Sequence, residues 1–233
     1  MARTIPLQST ATKKSILLVD DHPIVLEGLK QLIEQQSDLM VCGELADGRA
    51  ALQTVDKLRP DLAIVDISLK GVNGLEVIKA LRERCPDLPV LALSMHDETL
   101  YAERALRAGA NGYVMKQEAT KNLLIAVRQL LGGGMYLSEN VTARLLSRMA
   151  HTKPGAKLSA LEGLSDRELE VFHLIGQGVG TRKIAATLSL SVKTIESHRE
   201  NIKRKLKLED AAELAQYAVT WHQNESPPHA IKQ

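Results

Sequence analysis

The segment LAIVD at Leu62–Asp66 decides the fold, because it is a short apolar strand that ends in a carboxylate. A second apolar run, at residues 16–19, ends in the same way at Asp20 and Asp21. Apolar runs of this length are typical of strands that are buried on both faces of a parallel sheet. Ligands bind such sheets at the edge formed by the carboxyl ends of the strands, so we expect the three carboxylates to lie at a binding site.

Alternating strand and helix patterns surround these two runs. The strand candidates are residues 15–19, 40–45, 62–66, 90–94 and 112–115, and the helix candidates are residues 23–34, 48–58, 74–84, 98–108 and 120–131. Five such pairs in a row predict an α/β fold with a doubly wound, five-stranded parallel sheet. In the flavodoxin-like strand order the first and third strands are neighbours, which would bring Asp20, Asp21 and Asp66 together.

The second part of the chain shows helical patterns only. Residues 138–149 read as a linker helix capped by Ser138, and a capping box at Ser165 and Glu168 opens the next helix. Four helices follow the linker, at residues 166–176, 181–188, 192–206 and 210–221. We therefore predict a flexible N-terminus (1–12), a sheet domain (13–133), a linker with a short helix (134–160), an all-α four-helix helix-turn-helix domain (161–223) and a flexible tail (224–233).

The distribution of charge also separates two modules. Residues 13–131 carry 15 basic and 17 acidic side chains, a net charge of −2, whereas residues 189–208 carry six basic and two acidic ones, a net charge of +4. This asymmetry indicates different partners for the two parts. The sequence contains no apolar stretch of the roughly 18 residues that a membrane helix needs, and its N-terminus does not resemble a secretory signal. We expect a cytoplasmic protein with no membrane partner.

Two more polar side chains join the acidic edge of the predicted sheet. Ser94 ends the fourth strand, and Lys116 follows the fifth. Carboxylates that lie close together need a cation when they are ionised, and oxygen ligands favour Mg²⁺. A carboxylate can accept a phosphoryl group as an acyl phosphate, while a lysine and a hydroxyl can hold the other phosphoryl oxygens. The constellation therefore predicts metal-assisted phosphoryl chemistry.

Simpler interpretations exist for single members of this set. An aspartate at the end of a strand is often only a turn former or a helix cap. His22 stands before a helix-opening proline, and we interpret it as a structural residue. Tyr113 is either a core residue or a half-buried ring that can swing inward. The phosphoryl hypothesis depends on agreement among all the strand ends.

The motifs at the strand ends closely resemble the receiver domain of bacterial response regulators over residues 14–131. They are Asp20-Asp21-His22-Pro23, Asp66, Ser94-Met95 and Gly112-Tyr113-Val114-Met115-Lys116. The resemblance implies that a partner histidine kinase phosphorylates Asp66. It also implies that Asp20, Asp21, Asp66 and the backbone carbonyl of Ser68 hold Mg²⁺, that Ser94 and Tyr113 form a switch pair, and that Lys116 contacts the phosphoryl group. Lys70 stands where such receivers usually have proline.

The predicted helix at residues 192–206 has a polar face suited to DNA. Ile195, Ile202 and Leu206 recur at helical spacing and are predicted core residues. A capped helix after a tight turn can enter the major groove, where basic side chains bind phosphates and acidic or hydroxyl side chains can read bases. The candidate DNA contacts are Lys193, Thr194, Glu196, Ser197, Arg199, Glu200, Lys203 and Arg204.

The helical part resembles the LuxR-type helix-turn-helix, through motifs that include Leu164-Ser165-Asp166-Arg167-Glu168 and Ser191-Val192-Lys193-Thr194-Ile195-Glu196. The whole chain resembles a NarL/FixJ-type response regulator. This resemblance implies a two-component transcription regulator that binds double-stranded DNA as a homodimer. The helix at residues 210–221 would form the dimer interface in addition to packing in the helical core. Phosphorylation would switch its DNA binding.

Two rival functions remain open at this point. An aspartyl-phosphate phosphatase would carry a D-x-D-x-T motif after the first strand, but the chain reads Asp20-Asp21-His22-Pro23 there. We therefore expect no enzyme activity beyond self-phosphorylation and autodephosphorylation. The other rival is a DNA-binding regulator whose front domain responds to a ligand or a protein partner without phosphorylation.

Overall fold

The structure is a computed structural model, and it describes residues 13–95, 98–151 and 160–225. The strands are β1 (Lys14–Val19), β2 (Leu39–Leu45), β3 (Leu62–Asp66), β4 (Val90–Ser94) and β5 (Gly112–Met115). The helices are α1 (Pro23–Glu34), α2 (Gly48–Leu58), α3 (Gly74–Arg84), α4 (Glu98–Ala108), α5 (Ala119–Leu131), α6 (Glu139–His151), α7 (Asp166–Gly176), α8 (Thr181–Thr187), α9 (Val192–Leu206) and α10 (Ala211–Glu225). The predicted flexible N-terminus, part of the predicted linker and residues 226–233 of the predicted tail lie outside the described residues.

The five strands form one parallel sheet in the order β2-β1-β3-β4-β5. The predicted adjacency of β1 and β3 is confirmed. Val19 pairs with Val65 in the register of these two strands, so the next residues, Asp20 and Asp66, leave the sheet side by side. The topology alone thus brings the acidic residues to one edge.

Apolar side chains cover both faces of the sheet. Ile16 and Ile64 face α1 and α5 in one buried cluster, and Leu17 and Val65 belong to a second cluster with α2, α3 and α4. Strands β3 and β4 are buried along their whole length, which explains why they read as continuous apolar runs. Each fully buried Leu, Ile or Val side chain contributes about 1.5–3 kcal/mol to the free energy of unfolding.

The C-terminal helices form a compact layer around Phe172, which is fully buried. Its ring lies 5.9 Å from that of Tyr217 and 5.6 Å from that of Trp221, between centroids, so α10 packs against α7. The predicted capping box is present, because the Ser165 hydroxyl accepts from the Glu168 backbone N–H and the Glu168 carboxylate accepts from the Ser165 backbone N–H. These contacts fix where α7 begins.

The observed helices differ from the prediction mainly at their ends. α10 continues to Glu225, beyond the predicted end at Trp221 and two residues into the predicted flexible tail. The next helix-breaking residue is Pro227, so nothing in the sequence between residues 221 and 225 stops the helix. Ser138 caps α6 as predicted, since its hydroxyl accepts from the Val141 backbone N–H. None of the helices in the described ranges has the length and hydropathy of a membrane-spanning segment.

Gly74 is required where the loop after β3 passes close to the start of α3. A Cβ atom at this position would lie 2.0 Å from the carbonyl oxygen of Asp66, whereas a Cβ at Gly28 would meet nothing within 4 Å. We expect Gly74→Ala to lower the free energy of unfolding by about 1–3 kcal/mol, because backbone atoms must move apart. Gly28→Ala, in the exposed middle of α1, should raise it by roughly 0.5–1 kcal/mol.

Urea denaturation followed by circular dichroism measures both changes. A Gly74→Ala variant as stable as the parent protein would contradict the close approach of the loop to Asp66.

Candidate functional site

Three carboxylates meet at the carboxyl edge of the sheet. Asp20 is 1 % exposed, Asp66 is 0 % exposed, and the Asp21 side chain is 6 % exposed. Single ligand atoms from these residues and from His22 all lie within 4.8 Å of one another. The structure therefore brings the predicted acidic residues together, and it adds a histidine that the sequence analysis treated as structural.

Lys116 is the buried counter-charge of this cluster. Its Nζ lies 2.7 Å from Asp20 Oδ2 and 2.9 Å from Asp66 Oδ2, and its side chain is only 5 % exposed. Burial raises the pKa of the Asp66 carboxyl, and the negative charge of Asp20 raises it further, while Lys116 acts in the opposite direction. The ionised form of Asp66 thus depends on nearby positive charge.

The loop after β3 and the residue after β1 complete the edge. The Ser68 backbone N–H donates to Asp66 Oδ1 at 3.1 Å, and Lys70 Nζ lies 3.0 Å from Asp21 Oδ2. His22 Nδ1 lies 3.1 Å from Asp20 Oδ1 and 3.2 Å from Asp21 Oδ1. The predicted role of the Ser68 carbonyl as a metal ligand stays a prediction.

The oxygen atoms of the cluster fit a divalent cation. Asp20 Oδ2 and both carboxylate oxygens of Asp21 are buried, and within the described part of the chain their close contacts are ion pairs with Lys116, Lys70 and His22, not well-aligned hydrogen bonds. Three buried carboxylates have more oxygen atoms than these side chains can satisfy with hydrogen bonds, and a further cation would compensate the remaining negative charge. Carboxylate oxygens are also the ligands that Mg²⁺ prefers, so the donor set matches that ion.

Ser94 and Tyr113 lie below the edge, inside the protein. Ser94 is 0 % exposed at the end of β4, and Tyr113 is 2 % exposed on β5, where it pairs with Ala92. Of the two placements considered for Tyr113, the core position is observed and the half-buried one is wrong. Its ring belongs to the apolar cluster that also contains Tyr101 of α4. A switch role for the pair stays a prediction.

The predicted DNA-facing residues lie on one side of α9. Ile195 and Ile202 are fully buried against the other helices, and the side chains of Lys193, Glu196, Ser197, Glu200 and Arg204 are exposed, with Thr194, Arg199 and Lys203 partly buried. Ser191 caps the helix by accepting from the Thr194 backbone N–H at 3.0 Å. Thr194 also shares a hydroxyl–hydroxyl contact of 2.7 Å with Ser191, so it stabilises the helix start as well.

Both the sheet domain and the helical domain match known protein families. Residues 16–128 match the family described as response regulator receiver domain, and residues 162–218 match the family described as bacterial regulatory proteins, luxR family. The chain is a response regulator with a LuxR-type DNA-binding domain. The sheet domain is its receiver domain, and α7 to α10 form its DNA-binding domain.

Named relatives cover almost the whole regulator. It is 35 % identical over 209 residues to the oxygen regulatory protein NreC of Staphylococcus epidermidis, with 88 % of this chain and 96 % of the relative covered. It is 38 % identical over 204 residues to the transcriptional activator protein ExaE of Pseudomonas putida, with 88 % and 95 % covered.

Solved structures of related response regulators also cover about nine-tenths of this chain. RcsB from Salmonella enterica serovar Typhimurium, bound to promoter rprA in the presence of the phosphomimetic BeF3−, is 29 % identical with a TM-score of 0.59, and 89 % of this chain and 99 % of that chain are covered. A second structure, the RcsB response regulator of Salmonella typhimurium, is 31 % identical with a TM-score of 0.54 and coverage of 90 % and 99 %.

The DNA-binding domain of this regulator docks on its receiver domain through α7. The Arg104 guanidinium of α4 donates to Asp166 Oδ1 at 2.6 Å and to the Leu161 carbonyl at 3.0 Å. The Arg167 guanidinium donates to the Gly71 carbonyl at 2.8 Å, which belongs to the loop that follows Asp66. The interface therefore joins the start of α7 to both α4 and the acidic edge.

Glu170 is the buried acid of this interface. It is 5 % exposed, accepts from Arg167 at 2.7 Å and lies 3.4 Å from the Asn73 amide nitrogen. Burial raises the pKa of Glu170, and the negative charge of Asp66 also contributes to that increase. This contact was not predictable from the sequence, because the position of Glu170 in α7 does not reveal what its side chain faces.

Replacing Asp66 with asparagine should stabilise the receiver domain at pH 7. The raised pKa means that the carboxyl favours folding below its ordinary pKa of 3.8 and loses this contribution as the pH rises through its folded-state pKa. The amide that replaces it has no charge to bury. We expect Asp66→Asn to have the higher free energy of unfolding at pH 7, with the difference narrowing as the pH falls toward 4.

Urea denaturation between pH 4 and pH 8 tests this expectation. Asp47→Asn is the matched control, since Asp47 is an exposed cap of α2 and asparagine caps a helix equally well. An Asp66→Asn variant that is less stable than the parent at pH 7 would contradict the prediction. It would mean that the ion pair with Lys116 outweighs the cost of burying the Asp66 carboxylate.

Proposed function

We propose that a histidine kinase phosphorylates Asp66 and that the phosphoryl group controls sequence-specific binding of double-stranded DNA by α9. The observation that carries this proposal is the buried cluster of Asp20, Asp21 and Asp66, in which Lys116 lies between Asp20 and Asp66. The two-domain architecture supports DNA binding as the response, since a LuxR-type domain follows the receiver domain.

The chemistry assigned to Asp66 is a phosphoryl transfer. A carboxylate oxygen of Asp66 attacks the phosphorus of a phosphohistidine on the kinase, so that a P–O bond forms and the P–N bond breaks with the electron pair passing to the imidazole. Lys116 stands 2.9 Å from Asp66 Oδ2 and is placed to pair with a phosphoryl oxygen, and Ser94 is assigned a hydroxyl contact to another. Mg²⁺, held by Asp20, Asp21, Asp66 and the Ser68 carbonyl, would neutralise developing charge on the phosphoryl oxygens.

The α9 face supports DNA as the output partner. Exposed basic side chains such as Lys193 and Arg204 would neutralise phosphates, which supplies affinity, whereas Glu196 and Ser197 would contact base edges. One related structure contains two RcsB dimers bound to two parallel DNAs, which favours a homodimer here also. Two copies would read half-sites related by two-fold symmetry.

The docked interface offers a route from Asp66 to the DNA-binding domain. Phosphorylation adds a charge of about −1.5 to −2 near pH 7. That charge would arise at the end of β3, next to the loop that contacts Arg167, where the charge of Asp66 already acts on Glu170. The added repulsion would weaken docking. The outer face of α9 is already exposed in the docked state, so undocking is not needed to uncover it. Undocking would instead let the DNA-binding domain move relative to the receiver domain and pair with a second copy.

Labelling with acetyl phosphate tests the assignment of Asp66. We expect the regulator to take up one phosphoryl group in the presence of Mg²⁺, and Asp66→Asn to take up none, because the nucleophilic oxygen is lost. Asp47→Asn should be labelled as well as the parent protein, since Asp47 only caps α2. Intact-protein mass spectrometry at neutral pH gives the count directly.

Two outcomes would contradict the proposal. Continued labelling of Asp66→Asn would place the phosphoryl group on another residue. A parent protein that takes no label, yet whose DNA footprint changes with a small molecule or a protein partner, would favour the ligand-controlled regulator.

A further inference from the structure

Lys70 is an exposed cation at the acidic edge. Its Nζ lies 3.0 Å from Asp21 Oδ2, while its side chain remains 59 % exposed. The loop that carries it turns sharply at Gly71, whose φ of +80° is in the left-handed region, and the Val72 backbone N–H donates to the Lys70 carbonyl at 3.0 Å. This local turn directs a long, flexible ammonium over the carboxylates.

We propose that Lys70 is a tethered cation that competes with the divalent metal for Asp21. This inference rests on the proposed function, since it concerns the metal that phosphorylation of Asp66 would use. In formal charges the three carboxylates carry −3, and the ammonium groups of Lys116 and Lys70 reduce this to −1. A metal ion must either displace Lys70 from Asp21 or bind beside it. Lys70 therefore sets the metal concentration at which the site fills.

The two lysines of the site differ in what their loss would do. Lys116 is buried between Asp20 and Asp66, so its removal would leave charges buried without a partner. Lys70 reaches the buried Asp21 carboxylate from solvent, so its loss leaves no cavity, and His22 still lies 3.2 Å from Asp21 Oδ1. A substitution at Lys70 should therefore change metal affinity and leave the fold intact.

Mn²⁺ provides a direct probe, because electron paramagnetic resonance measures the free ion without any readout from phosphorylation. We expect Lys70→Met to bind Mn²⁺ about five- to tenfold more tightly than the parent, since a positive charge next to a dication is removed. Lys70→Glu should bind more tightly still, and Lys70→Arg should stay within about twofold of the parent because the charge is kept. Displacement of Mn²⁺ by Mg²⁺ should follow the same order.

Lys57→Met is the matched control. Lys57 is an exposed lysine in the last turn of α2, at the opposite edge of the sheet, and its loss should leave Mn²⁺ affinity within about twofold of the parent. Circular dichroism and urea denaturation establish that each variant is folded.

The outcomes separate this inference from the proposed function. Equal Mn²⁺ affinity of the parent, Lys70→Met and Lys70→Glu would overturn the role of Lys70 and leave the phosphoacceptor proposal standing. If neither the parent nor Lys70→Met takes up Mn²⁺, the metal site itself fails, and both proposals fail with it. Mn²⁺ affinity that rises from Lys70→Arg to Lys70→Met to Lys70→Glu, with no change in Lys57→Met, supports competition between Lys70 and the metal for Asp21.

Discussion

The parallel pairing of β1 with β3 is the constraint on which the rest of this protein depends. It holds Asp20 and Asp66 side by side at zero or nearly zero exposure, an arrangement that is unfavourable unless positive charge is supplied. Lys116 supplies part of that charge from the end of β5, two strands away from β3 in the sheet. The large apolar clusters on both faces of the sheet hold the strands together despite this cost.

The same constraint places the acidic edge next to α7 of the DNA-binding domain. Asp66 ends a rigid strand, and the short loop after it reaches both Asp21, through Lys70, and the start of α7, through Gly71 and Arg167. A change of charge at Asp66 therefore acts on a loop that already contacts both Asp21 and α7. Glu170, buried in the interface, is a group whose ionised form is sensitive to such a change.

Much of the fold could be predicted from the sequence, because strand and helix periods differ and several strand candidates end in a polar residue. The edge residues Asp20, Asp21, Asp66 and Lys116 were found for the same reason: the carboxyl ends of parallel strands converge. The contacts of His22 and Lys70 were not predictable, because they depend on the local conformation of loops. Docking through Arg104 and Glu170 depends on tertiary packing between domains, which leaves no periodic signal in either segment.

Hydrogen–deuterium exchange of α7 tests most directly whether charge at Asp66 controls the DNA-binding domain. The account predicts that beryllofluoride with Mg²⁺ slows exchange around Asp66 and speeds it in the first turns of α7, with no response in Asp66→Asn. Arg104→Ala, which removes the contact to Asp166, should show the faster α7 exchange without beryllofluoride, whereas Arg107→Ala on the exposed side of α4 should not. Unchanged α7 exchange in the parent protein, alongside clear protection around Asp66, would contradict the account.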